Sequence, residues 1–179
     1  MGRQIQELWI EYYLHLPSNF ALRNEAPANN KVLALWTDTY SDTNNVQVVL
    51  EYERNGVDSS YARSIVISSA GQPSNQGDRF RSESFFTAAK GGAWYRMRMH
   101  FRCASAGGTT DGVFEAMMGD ELVWRSRTDY QFFPSGGSTV NYVRNGYLLG
   151  YANSGFTDQT DFHIRAVKCY DQNPGWVFA

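Results

Sequence analysis

The sequence predicts an all-β fold, a two-sheet antiparallel β-sandwich, on three observations. Apolar and polar residues alternate with a period of two over most of the chain. No stretch of a dozen residues sustains the 3.6-residue period of a helix. Aromatic residues, which favour strands, make up 15% of the sequence. With 179 residues, 42% of them hydrophobic, the chain is long enough for one core and short for two, so residues 1–179 are expected to form a single domain. A charged fraction of 19% is too low for a disordered polyelectrolyte.

The elements follow in chain order. Residues 8–16 alternate, with Leu8, Ile10, Tyr12, Leu14 and Leu16 on one face and Trp9, Glu11, Tyr13 and His15 on the other. Pro17-Ser18-Asn19 ends this strand. Residues 46–53 run into Asn55-Gly56, and 60–68 resume the alternation, which reads as a hairpin. Residues 94–103 form a long strand with Tyr95, Met97, Met99, Phe101 and Cys103 on a core face. Residues 113–118 and 121–127 make a second hairpin about Gly119-Asp120, and 161–170 a last strand. The irregular stretches 19–30, 70–84, 105–111 and 133–140 then read as loops, and six or more antiparallel strands joined in this way suit a jelly roll.

Several partners are excluded or unsupported. A formal charge of -2 provides no field to hold a phosphate backbone, so nucleic acid is not expected. No apolar run is long enough to span a membrane, and residues 1–5 lack the apolar stretch of a secretory signal, so neither a membrane nor a signal peptide is expected. Cys103 and Cys169 have no metal-ligand spacing, and His15, His100 and His163 are scattered, so neither a metal nor another cofactor is expected. Two strand-borne cysteines are more often free buried thiols than a disulfide. Asp38, Asp42, Asn44 and Asn45 read as a solvated loop, and Gly107-Gly108 and Gly136-Gly137 as loop glycines.

The candidate binding face lies on the long strand, where Arg96, Arg98, His100 and Arg102 line up opposite the core face. Alternate strand residues are spaced roughly 6.5–7 Å, comparable to a sugar repeat, and guanidinium forks suit the carboxylates of an acidic polysaccharide. The bland alternative is a solvent face whose arginines are neutralised by acidic residues of neighbouring strands. Trp9 and Tyr13, with Tyr147 and Tyr151, would supply rings to stack on sugars, or else pack as core. Glu51 and Glu53 share a strand face, as the carboxylate pair of a glycosidase can, but lack suitable neighbours.

Two stretches resemble a known family. The segment 7–20 with Lys31-Val32-Leu33, and the strand 94–102 with Asp111-Gly112-Val113-Phe114-Glu115 and Gly119-Asp120-Glu121-Leu122-Val123, are similar to concanavalin A-like jelly-roll proteins, nearest to the alginate and glucuronan lyases. The resemblance implies a concanavalin A-like jelly roll and, for a lyase, an Arg, Gln or Asn that neutralises the substrate carboxylate together with a His or Tyr that moves protons. The family's catalytic pattern is not preserved: Gln47-Val48-Val49 has Val where the lyases carry His, and Asn145-Gly146-Tyr147-Leu148-Leu149-Gly150-Tyr151 lacks their Lys.

The sequence therefore favours a non-catalytic module on an exterior surface, virion or extracellular. Its most concrete form is a bacteriophage accessory protein for capsid decoration or attachment that binds an acidic or neutral glycan, with capsid or other virion proteins as partners and self-association expected. The alternative is a lyase that cleaves a polyuronate by β-elimination, in which Arg96, Arg98 and His100 with Tyr147 or Tyr151 would act.

Overall fold

The computed structural model describes residues 3–19, 28–37, 47–54, 61–62, 86–87, 91–106, 109, 111–125, 141–150, 152–153 and 155–178. All regular structure among them is β. In chain order the strands are β1 (Glu7–Leu16), β2 (Ala28–Trp36), β3 (Gln47–Arg54), β4 (Tyr61–Ala62), β5 (Phe86–Thr87), β6 (Ala93–Arg102), β7 (Val113–Met118), β8 (Glu121–Arg125), β9 (Asn145–Leu148), β10 (Ala152–Asn153) and β11 (His163–Tyr170). Every pairing is antiparallel. One five-stranded sheet has the order β11-β1-β6-β7-β8, and a second has β10-β2-β3 with β9 also on β2.

The alternation read from the sequence sets the core. Ile10, Tyr12, Leu14 and Leu16 from β1, Met97, Met99 and Phe101 from β6, and Phe114, Ala116 and Met118 from β7 form one cluster with Val32, Leu33 and Leu35 from the second sheet. The two sheets thus share one apolar layer, the arrangement of a jelly-roll sandwich. Gly119, at φ +64°, supplies the left-handed residue that the two-residue β7–β8 turn requires.

Two expectations change. Part of the predicted 19–30 loop is strand, because Ala28, Asn29 and Asn30 open β2. Its mixed sequence gives no period-two signal until Lys31. The hairpin predicted over 46–68 falls largely outside the described residues; among those described, β3 pairs with β2, and Tyr61–Ala62 pairs with Phe86–Thr87. The turn at 55–56 and residues 63–68 lie outside the described residues, as do the loops at 38–46, 107–108 and 136–137. The two cysteines are free thiols, but only Cys103 is buried; Cys169 is exposed on β11. Burial pushes the Cys103 thiol up to about 12, so it is inert at neutral pH.

Tyr12 is wholly buried, and its hydroxyl has no hydrogen-bond partner among the described residues. That desolvation raises its pKa far above the ordinary phenol value. Since an unmade buried hydrogen bond costs about 1–3 kcal/mol, Tyr12→Phe is expected to leave stability unchanged or raise it by about 1 kcal/mol. Urea unfolding of the two proteins checks this.

Candidate functional site on the outer face of the five-stranded sheet

The face opposite the core is built by three adjoining strands. Register places His15 between Trp94 and His163, Tyr13 between Arg96 and Arg165, Glu11 between Arg98 and Lys168, and Trp9 between His100 and Tyr170. Simple alternation cannot put both Arg165 and Lys168 on this face, being three residues apart. A bulge in β11 does so: the register with β1 shifts between Glu11 and Tyr13, and Ala166 adopts φ +53°.

The end of the face nearest Glu7 is closed. The His100 ring stacks on Trp9 at a centroid distance of 3.6 Å and an interplanar angle of 8°. Its Nε2 lies 2.8 Å from Glu7 Oε1 and its Nδ1 3.5 Å from Glu115 Oε2. Trp176 and Phe178 cover Trp9 at centroid distances of 5.9 and 6.0 Å. Asn173 holds this covering segment in a turn, its Oδ1 accepting the Gly175 and Trp176 backbone N–H at 2.9 and 2.7 Å. Trp9 and His100 are consequently only 5% and 6% exposed. Neither presents the open ring expected from the sequence, because the aromatic segment after β11 packs over both.

The middle is an ionic layer. Glu11 is 4% exposed. Its Oε2 accepts from the Arg96 Nε at 2.7 Å and also from the second guanidinium nitrogen, and Lys168 Nζ lies 3.4 Å from Oε1. Arg98, 11% exposed at its side chain, donates to the Gly119 carbonyl at 2.6 Å and to Asp120 at 3.1 Å. Arg102 is exposed and donates to the Asp111 carbonyl at 2.9 Å. The Asp111 carboxylate is in turn held down to a pKa of about 2 by the Ser105 backbone N–H and the Thr109 hydroxyl. Of the expected arginine row, Arg98 is thus committed to the β7–β8 turn, whereas Arg96 keeps a side chain 42% exposed.

Burial raises the Glu11 pKa, but the Arg96 hydrogen bond and charge, joined by Lys168, outweigh it and leave the carboxyl below 4.5. The folded protein therefore binds fewer protons here than the unfolded chain. This contribution to stability is complete above about pH 4.5 and is lost as pH falls through the depressed folded value. Glu11→Gln is expected to cost about 1–2 kcal/mol at pH 7, reduced by solvent around Arg96 and Lys168. Denaturation from pH 7 to pH 3 should show the two proteins converging as pH falls.

The end nearest Trp94 is open. Trp94 is 40% exposed, and the Arg165 guanidinium lies over its ring at 4.3 Å and over the Tyr13 ring at 5.6 Å. The His15 ring sits 5.3 Å from Trp94 and 5.7 Å from His163. His15 Nδ1 is buried without a hydrogen-bond partner among the described residues. Tyr13, Trp94, Arg96 and Arg165 with two imidazoles form a solvent-reached cluster at this end of the face.

The remaining candidates lie elsewhere. Tyr147 is on β9 in the second sheet, its ring 5.7 Å from Trp36 and directly over Gly150, where a Cβ would collide with it. Tyr151 lies outside the described residues. Glu51 and Glu53 stand on β3, opposite Lys31 and Asn29 in register. Among the described residues no group of three or more His, Cys, Asp or Glu side chains is gathered as metal ligands. Sequence reasoning missed Arg165, for which the signal available was an Arg two residues after a strand histidine, and Lys168, which the bulge brings to this face against simple alternation.

No protein-family profile and no curated protein matches the chain. Among solved structures it is similar to the alginate lyase Aly36B. The match to a double mutant in complex with an alginate trisaccharide has a TM-score of 0.65 at 14% identity and covers 92% of this chain and 70% of that one. The match to Aly36B itself has the same TM-score and identity and covers 92% and 69%. At this identity the likeness is one of fold: the chain is an all-β sandwich of the kind found in a polysaccharide lyase.

Proposed function

We propose that the chain is a carbohydrate-binding sandwich module whose open end, Tyr13, Trp94, Arg96 and Arg165, holds an acidic polysaccharide. The observation that carries this reading is Arg165 lying over the exposed Trp94 ring beside Tyr13. A guanidinium kept planar against an aromatic ring is oriented to receive a carboxylate through its fork. The free faces of the rings accept the apolar side of a sugar. The alginate trisaccharide bound to the similar lyase supports the ligand class. Neither the fold nor the similar structures bear on the virion setting expected from the sequence.

A second reading, β-elimination of a polyuronate, is favoured by His15, His163 and Tyr13 in the same cluster. In it a neutral imidazole takes the C5 proton, the C5–H electron pair forms the C4–C5 double bond, and the C4–O bond breaks. The leaving oxygen takes a proton from the tyrosine, and an arginine neutralises the carboxylate. Calorimetric titration with oligoalginate and oligoglucuronate, followed by ultraviolet absorbance of the same mixtures, separates the readings. Binding without a rise from unsaturated uronate ends supports the module, a rise supports the lyase, and absence of both overturns the acidic-saccharide assignment.

A further inference from the structure

A cavity at the opposite end of β1 differs in chemistry from the open aromatic cluster. It has a volume of about 730 Å³, within the range of roughly 300–1,000 Å³ that ligand pockets occupy. Its walls come from the residues preceding β1, the segment before Val143 and the end of β11, and include Arg3, Glu7, Asn141, Tyr142, Tyr170 and Asp171. Eight residue steps separate Glu7 from His15, so it lies about 26 Å along the strand from the open aromatic cluster.

Three features make this more than a surface dent. Ile5 and Val143 exchange backbone hydrogen bonds at 2.8 and 2.9 Å, fixing two walls against each other. Glu7 is oriented from behind by His100, itself clamped by Trp9 and facing Glu115. Its side chain nonetheless stays 38% exposed, so an anchored acceptor lies open to the cavity. Arg3 and Asp171, 3.3 Å apart, add a second donor and acceptor.

The charge here is reversed relative to the arginine cluster. The Arg3 guanidinium is already committed to Asp171, which disfavours capture of a uronate, while carboxylate, amide and phenol groups are suited to bonding paired hydroxyls. We propose that this cavity is a second saccharide site, one that takes a neutral sugar and is independent of the acidic-saccharide face.

Saturation-transfer NMR and calorimetry with cellotriose, mannotriose and maltotriose test it, with trimannuronate as the acidic comparison. The expected result is that at least one neutral trisaccharide binds. Its affinity should fall at least tenfold in Tyr142→Ala and in Glu7→Gln, fall less in Tyr142→Phe, and remain unchanged in Arg165→Ala. Failure of all three neutral sugars to bind at millimolar concentration overturns the proposal, as does binding that survives Tyr142→Ala and Glu7→Gln in folded protein. Because trimannuronate binding is read separately, failure of the acidic-saccharide reading leaves this result intact.

Discussion

Arg165→Ala is expected to weaken binding of a uronate trisaccharide by about 10- to 100-fold. A hydrogen bond to a charged group contributes about 1.5–3 kcal/mol, and each 1.4 kcal/mol is a factor of ten in affinity. Arg165 is exposed, and its contacts with Trp94 and Tyr13 lie at the surface. Its loss should therefore change folding stability by no more than about 0.5 kcal/mol. Arg165→Lys keeps the charge but not the fork or the planar stack, so it should recover only part of the affinity. Trp94→Ala, which removes the ring that orients the guanidinium, should act in the same direction. Calorimetry in low salt measures all three, and equal affinities for wild type and Arg165→Ala would remove the arginine from the site.

His100→Ala is expected to have the largest effect on stability, about 2–3 kcal/mol by urea unfolding. It removes a stacked ring pair contributing about 0.5–1.5 kcal/mol, and with it the imidazole that Glu7 and Glu115 both face. Loss of a hydrogen bond to a charged group adds about 1.5–3 kcal/mol, of which the partial exposure of Glu7 leaves the lower part. His100→Phe should restore the stack without the polar contacts and fall between the two. Neither substitution should alter affinity for an acidic saccharide by more than a few fold, since His100 lies under Trp176 and Phe178 and away from Arg165. A large affinity loss with little destabilisation would instead place His100 in the binding site.

The fold was legible where alternation is unbroken. In β1, β6 and β7 each residue's side of the sheet follows from its parity, and the buried residues Ile10, Tyr12, Leu14, Met97, Met99, Phe101, Phe114 and Ala116 follow from it. Parity cannot say what covers the other side. Trp9 and Glu11 are buried on the polar face because Trp176 and Phe178 pack over one and Arg96 and Lys168 enclose the other. Those are long-range contacts with no local sequence mark. The arginine row itself was visible, but its division into a committed Arg98 and a half-exposed Arg96 depends on which acidic groups the neighbouring strands deliver. Arg165 shares the face of His163 by plain alternation, whereas Lys168 joins them only through the bulge at Ala166, where one extra residue inverts the parity of the strand.

Titration of isotopically labelled protein with trimannuronate, followed by NMR at the Trp94 indole, the Arg165 and Arg96 guanidinium groups and the His15 and His163 rings, tests the acidic-saccharide site most directly. Saturable shifts confined to these groups, with the Trp9 indole and His100 ring unmoved, are the predicted result. Shifts absent from this cluster, or centred on residues of the second sheet such as Tyr147, would contradict it.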